Sequence, residues 1–412
     1  MQGSSGKPMW QRNLFVLWFG VFMSGVAMSE VMPFLSLYVN ELGHFNAHQL
    51  TLYSSIIYSV SFIAMAVTAP IWGRLADRKG RRLMLIRAAI GMFISFGLMA
   101  FVTNIWQLAF LRACSGAFGG YVANANALIA AQTPKKDAGR ALGILMTGMT
   151  SGTLLGPLLG GTLATIFSYR FTFIITGTLM FIVFILTVGW VKEAPQDPVA
   201  TPTTATDEPT LAVKSSFGDL IQNRLILILF ITTMFVQIVN MSISPILSLY
   251  VRQLNANPHT ISFVAGLVAA MPGIATVIAA PRFGRFGDKI GSHKIAFFGF
   301  SLALVTFFVT SFAPNIPTLM SLRFITGIAD AAILPAVNSL LTKNSTVAQT
   351  SLVFAYNQSF QAFGAMLGPL IGAVVANATG YSGVFISSSI LMIINLSLFM
   401  YARKRGLFYV TA

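Results

Sequence analysis

Of the eleven acids in the chain, only Glu30 and Asp330 lie inside long apolar segments, and Arg112 and Arg323 share that setting. A carboxylate there costs roughly 2.5–3.5 kcal/mol to insert, so an acid in such a place points to function. A carboxyl stripped of water holds its proton more tightly, and a guanidinium beside it loosens that hold. The balance can bring titration near working pH, so that the group takes a proton on one side of a barrier and releases it on the other. As an anion it also attracts cations, and proton and cation then compete for it. Counted at 1.5 Å per residue, Glu30 lies about 24 Å from the inner start of its segment, and Arg112 about 10 Å below the outer start of its own. The two therefore share a depth, although rise along a helix does not fix the direction in which each side chain points. The alternative is a buried structural ion pair. Asp330 lies near mid-depth in "GIADAAILPAV", with Arg323 seven residues earlier. That spacing is about 10 Å along a helix, out of direct reach, so Asp330 needs another partner, water or a proton. Arg112 and Arg323 could equally anchor their helices.

The segments that must position these groups are hydrophobic enough to cross a membrane. The chain is 55% hydrophobic and only 9% charged, with a mean hydropathy of +0.76 in its 412 residues. A soluble surface needs more charge than that. Twelve apolar stretches are expected, near 14–39, 50–72, 82–102, 105–130, 139–163, 170–191, 225–250, 260–281, 294–313, 316–341, 350–376 and 383–402, each about long enough for a hydrocarbon core of ~30 Å. With the N-terminus inside, all but five of the 26 Lys and Arg fall in cytoplasmic segments; Arg170 and Arg252 fall outside, and Arg87, Arg112 and Arg323 within spans. This positive-inside bias accounts for the net charge of +15, puts both termini in the cytoplasm and leaves no need for a nucleic-acid partner. The single cysteine, Cys114, excludes a disulfide framework, and the four histidines at segment ends give no metal centre. No HExxH or phosphate-binding loop suggests an enzyme, and no signal peptide is expected.

The chain repeats itself. "MPFLSLYVNELG" (32–43) returns as "SPILSLYVRQLN" (244–255), "GRLADRKGRR" (73–82) as "GRFGDKIGSH" (284–293), "LRACSG" (111–116) as "LRFITG" (322–327), and "GPLLGG" (156–161) as "GPLIGA" (368–373). An N-terminal bundle (1–191), a Pro-rich cytoplasmic linker (192–220) and a C-terminal bundle (221–412) are expected. The fold class is thus an all-α membrane protein of twelve transmembrane helices, in two six-helix bundles around a central cavity. Span five carries Gly148, Gly152, Gly156 and Gly160, with Pro157 as a possible bend; small residues at this spacing let helices pack closely. Candidate cavity residues are Met23 and Phe34 on the face of Glu30, Gln237, Asn240 and Met241 on one face of span seven, and Asn126, Asn338, Tyr356, Asn357 and Gln361. Amides, aromatics and methionines together suit varied, partly apolar ligands, although most Met and Phe in such a chain belong to the core or face lipid. The stripe on span seven is the firmer signal, since amides facing lipid are unfavourable.

"GRLADRKGRR" resembles the loop 2–3 signature of the major facilitator superfamily, "RACSGAFGG" its Arg-bearing span-four motif, and "GILMTGMTSGTLLGPLLGG" the span-five motif associated with antiporters. With "RNLFVLWFG", "PNIPTLMSLRFITGIADAAILPAVNSLL" and "YNQSF", the chain resembles the family's drug:proton antiporters of the MdtG/PmrA type over nearly its whole length. The resemblance implies a proton-coupled multidrug exporter of the bacterial cytoplasmic membrane, a monomer that moves amphipathic or cationic drugs by alternating access. It implies protons as coupling ion and no other cofactor; Glu30, Arg112 and Asp330 are the candidate proton or substrate groups because they are ionisable groups inside spans. It also implies a conformational switch at Gly73, Asp77, Arg78, Gly80 and Arg81, in which Asp77 bridges the halves; near a helix N-terminus such a carboxylate is favoured. An apolar residue is usual at the position of Glu30, so Glu30 could set substrate choice while another group carries the proton. An exporter of one metabolite, sugar or lysolipid on the same fold is the alternative.

Overall fold

The computed structural model describes residues 8–193, 223–254, 257–345 and 347–409; most of the expected linker lies outside them. Every regular element among these residues is helical. In chain order the helices are α1 (Met9–Ser29), α2 (Leu35–Glu41), α3 (Ala47–Lys79), α4 (Arg81–Met99), α5 (Ile105–Ala117), α6 (Tyr121–Gln132), α7 (Lys135–Ile166), α8 (Tyr169–Trp190), α9 (Arg224–Ile243), α10 (Leu247–Gln253), α11 (Ile261–Ile290), α12 (Ser292–Thr310), α13 (Ile316–Lys343) and α14 (Val347–Lys404).

Side-chain caps fix several starts. Asn104 and Asn315, one repeat apart, accept the N–H of Gln107 (2.9 Å) and Thr318 (3.0 Å). Ser168 accepts that of Phe171 at 3.1 Å. Each satisfies one of the donors a helix start leaves free. Among the described residues ten helices are long and apolar enough to cross a membrane. Two of the expected spans share α14 and meet at Gly380, and span four is divided between α5 and α6. Twelve spans follow, in a multi-pass membrane protein. Phe15, Phe101, Trp106, Phe110 and Phe312 are each about two-thirds or more exposed, as lipid-facing side chains are.

The helices form two compact units. Residues up to 44 and from 60 to 193 make unit 1, which buries Leu17, Tyr38, Phe96 and Phe173. Residues 45–59 and those from 223 onward make unit 2, around Leu229, Phe230, Phe300 and Phe385. The start of α3 thus groups with unit 2. Thr51 Oγ1 lies 3.4 Å from Tyr381 Oη, and Asn377 Nδ2 donates to His48 O at 3.3 Å.

The N-terminus of α4 is capped from far along the chain. Gly80 turns the chain with φ +88°, and the N–H groups of Arg81 and Arg82 donate to the Glu193 carboxylate at 2.9 and 2.8 Å. The helix start nearest Asp77 is therefore held by Glu193. Asp77 is exposed in the last turn of α3, beside Arg78 and Lys79. Glu193→Ala is expected to cost about 1–2 kcal/mol by analogy with lost caps, read as a lower melting temperature in detergent. An unchanged melt would show that the cap contributes nothing.

Candidate functional site

Pro33 has no N–H to offer the carbonyl of Ser29, and α1 stops there. The Met32 N–H bonds that carbonyl instead, at 3.1 Å, and the helix resumes at Leu35. Glu30 is the first residue of this break and is only 1% exposed. Its Oε1 accepts a hydrogen bond from Thr176 Oγ1 of α8. Arg112 of α5, itself buried, lies within electrostatic reach. The backbone of Arg112 is fixed in turn, because Ser61 Oγ and Ser115 Oγ both donate to its carbonyl, at 2.9 and 2.8 Å. Glu30 and Arg112 both lie in unit 1, buried, with Arg112 an electrostatic neighbour of the acid. The surroundings can hold the carboxyl in either protonation state. Thr176 donates to the carboxylate, and its oxygen can accept from the protonated acid.

The backbone of Glu30 rests on the glycine ridge of α7. A Cβ on Gly160 would lie 2.0 Å from Glu30 O, and one on Gly156 would lie 3.1 Å from Glu30 N. Gly152 meets Phe22 O, Gly148 meets Trp18 O, and Ser29 Oγ donates to Gly152 O at 3.3 Å. The ridge therefore closes on α1 of its own unit. Helix α7 runs unbroken through Pro157. The pattern repeats in unit 2, where Gly364, Gly368 and Gly372 pack on α9, but the place of Glu30 is taken there by Ser242.

Asp330 of α13 is half-buried, and its partner is Asn240 of α9, whose amide hydrogen-bonds the carboxylate. Arg323, although too distant along the helix for a close pair, remains an electrostatic neighbour. Arg323 is buried, and its Nε and Nη1 have no hydrogen-bond partner among the described residues.

The other expected residues divide. Phe34 is fully buried, stacked on Tyr169 at 5.7 Å and edge-on to Phe173 at 5.4 Å, so it is core rather than cavity wall. Met23 is buried too, and buried Asn357 accepts from Thr233 Oγ1 at 2.7 Å. Both are corrected in the same way: apolar and polar faces of a helix can both be used up by neighbouring helices. Asn126, Gln237, Met241, Tyr356 and Gln361 are half-buried, and Asn338 is exposed. Gln237 and Met241 also abut Gly364 and Gly368. Sequence reasoning missed Thr176 and Glu193. Thr176 stands out only as a hydroxyl in the very apolar α8, and Glu193 lies in a segment read as linker.

Among the described residues no cluster of His, Cys, Asp and Glu could hold a metal. Twelve spans in two repeated units, each burying an arginine near an acid, define a membrane transporter of the duplicated six-span type. The profile of the Major Facilitator Superfamily matches residues 17–243 and again 229–407, and the chain belongs to that family. It is 44% identical over 387 residues to the Multidrug resistance protein MdtG of Proteus mirabilis (strain HI4320), covering 94% of each chain. It is 45% identical over 376 residues to the protein of the same name from Salmonella arizonae, covering 91% of each. Among solved structures, it resembles a bacterial homolog of the human lysosomal transporter Spinster in an inward-facing, unoccupied conformation, with a TM-score of 0.79, 15% identity and 98% of each chain covered. It also resembles the nucleoside transporter NupG, with a TM-score of 0.75, 14% identity and 98% and 100% covered. These two likenesses speak to fold.

Proposed function

We propose that the chain is a proton-coupled multidrug exporter of the bacterial cytoplasmic membrane, with both termini in the cytoplasm, that exchanges amphipathic or cationic drugs for protons by alternating access as a monomer. The names of relatives 44% identical to it support drug efflux, and the placement of Lys and Arg supports the topology. The observation that carries the proton is Glu30: a fully buried carboxyl, held by Thr176, beside Arg112.

The coupling follows from charge. With its proton, Glu30 is neutral; without it, Glu30 is an anion within electrostatic reach of Arg112. A bound cationic drug favours the deprotonated acid, so binding expels the proton, and by linkage protonation weakens drug binding. A neutral drug competes by contact rather than charge. Asp330 is the second acid of this kind and serves substrate recognition beside Arg323.

Everted vesicles with a neutral and a cationic dye test the assignment. Asp330→Asn keeps an amide-compatible partner for Asn240 and is expected to export the neutral dye at about the parental rate, with the cationic dye slowed. Glu30→Gln is expected to lose proton-driven export of both. If Glu30→Gln slows only the cationic dye while Asp330→Asn stops both, the roles are reversed and Asp330 carries the proton.

A further inference from the structure

Span four breaks at residues 118–120, between α5 and α6, and the break is held from outside. Gly120 has φ +99°, a conformation that side-chain-bearing residues rarely adopt. Three of the carbonyls released around the end of α5 find donors on neighbouring helices. Trp72 Nε1 (2.7 Å) and Thr68 Oγ1 (3.3 Å) of α3 donate to Ala117 O. Arg87 Nη2 of α4 donates to Phe118 O (3.3 Å) and Gly119 O (2.7 Å). The Arg87 guanidinium lies over the Trp72 ring, 3.9 Å from its centroid. One turn further along α4, Gly91 leaves room for the Phe118 ring, which a Cβ would meet at 2.2 Å. Sharp breaks in helices have such identifiable causes.

The second repeat lacks the Trp and Arg donors of this arrangement and keeps one threonine contact of the kind, Thr276 Oγ1 of α11 donating to Gly327 O at 3.0 Å. At the offset of "LRACSG" and "LRFITG", Trp72 and Arg87 correspond to Phe283 and Phe298, Thr68 to Ala279, Gly91 to Leu302, and Gly119 to Asp330. Phe283 and Phe298 pack ring to ring at 5.8 Å. Helix α13 runs straight through the corresponding residues, from Ile316 to Lys343. A device present in one copy of a duplicated design and erased from the other serves something other than the shared fold.

We propose that Arg87, with Trp72, is a positioning residue for transport: it holds span four bent at 118–120, and this bend is the hinge through which α5, carrying Arg112, moves relative to α6. A cavity of about 260 Å³, lined in part by Trp72, Arg87, Gly119, Gly120 and Asn124, gives the hinge room. The bend itself does not depend on which acid carries the proton; its effect on export rests on the transport reading above.

Two variants test the proposal by separate routes. Trp72→Phe/Arg87→Phe copies the aromatic pair of unit 2 and removes the donors. Gly120→Ala leaves the donors in place; the added Cβ would meet nothing closer than 3.8 Å, so only the backbone conformation opposes it. In a Cys114→Ala background, spin labels at positions 110 and 131, both exposed, report the bend. Both variants are expected to lengthen the label separation toward the ~31 Å of a straight 21-residue rise. Both are expected to cut the maximal export rate about tenfold with little change in the drug concentration at half-maximal rate. A parental separation in both variants would overturn the hinge, whatever the transport result. A lengthened separation with parental export would show that the bend is structural only.

Discussion

Glu30→Gln is expected to collapse the proton-driven gradient of a neutral drug without unfolding the protein. The substitution keeps the shape of the side chain, and its amide oxygen can still accept from Thr176 Oγ1. What it removes is the one state the mechanism needs, the carboxylate that gives up a proton when drug binds. One proton exchanged for a neutral drug across 100 mV contributes about 2.3 kcal/mol, enough for a drug gradient of roughly fiftyfold at about 1.4 kcal/mol per decade. In proteoliposomes with an imposed potential, the parent should approach that gradient for each proton exchanged, and Glu30→Gln should settle near equal concentrations. Downhill movement of the same drug should persist, because the fold and the remaining contacts do. A variant that still concentrates neutral drug would show that the proton travels elsewhere.

Gly160→Ala should be as damaging, by a different route. Its Cβ would sit 2.0 Å from Glu30 O and 2.7 Å from Glu30 C. Neither atom belongs to a flexible side chain, so α1 and α7 must separate at the very residue that carries the acid. Overpacking of this kind costs roughly 1–3 kcal/mol, and the upper end is expected because two backbones are involved. Glu30 would shift relative to Thr176 and Arg112, so export should fall by more than the loss of folded protein explains. Gly143, on the same helix, has nothing within 4 Å. Gly143→Ala should leave export unchanged and raise stability by about 0.5–1 kcal/mol through helix propensity. Melting temperature and transport per folded molecule for the two variants decide this; equal behaviour would remove close packing as the cause.

Helix count, repeat and membrane placement were legible because they are long-range averages of hydropathy and charge, which no single contact can reverse. The depths of Glu30 and Arg112 were legible, since rise per residue is fixed along a helix. Azimuth was not, because it depends on neighbouring helices. That is why Thr176 went unseen and Phe34 was placed on a cavity wall when it packs between Tyr169 and Phe173. The break in span four was hidden for a related reason. Gly119 and Gly120 alone are compatible with a packed continuous helix, like the glycines of α7. The residues that fix the break, Trp72 and Arg87, belong to other spans. The cap of α4 was hidden because its carboxylate, Glu193, lies 112 positions from Arg81 along the chain.

The exchange of proton for drug at Glu30 is read most directly in detergent, without any gradient. Adding a saturating cationic drug to the purified protein in weak buffer should release protons into solution, in an amount that scales with protein. Glu30→Gln should bind drug, measured on the same sample, and release none. Undiminished release from Glu30→Gln would contradict the account at its centre.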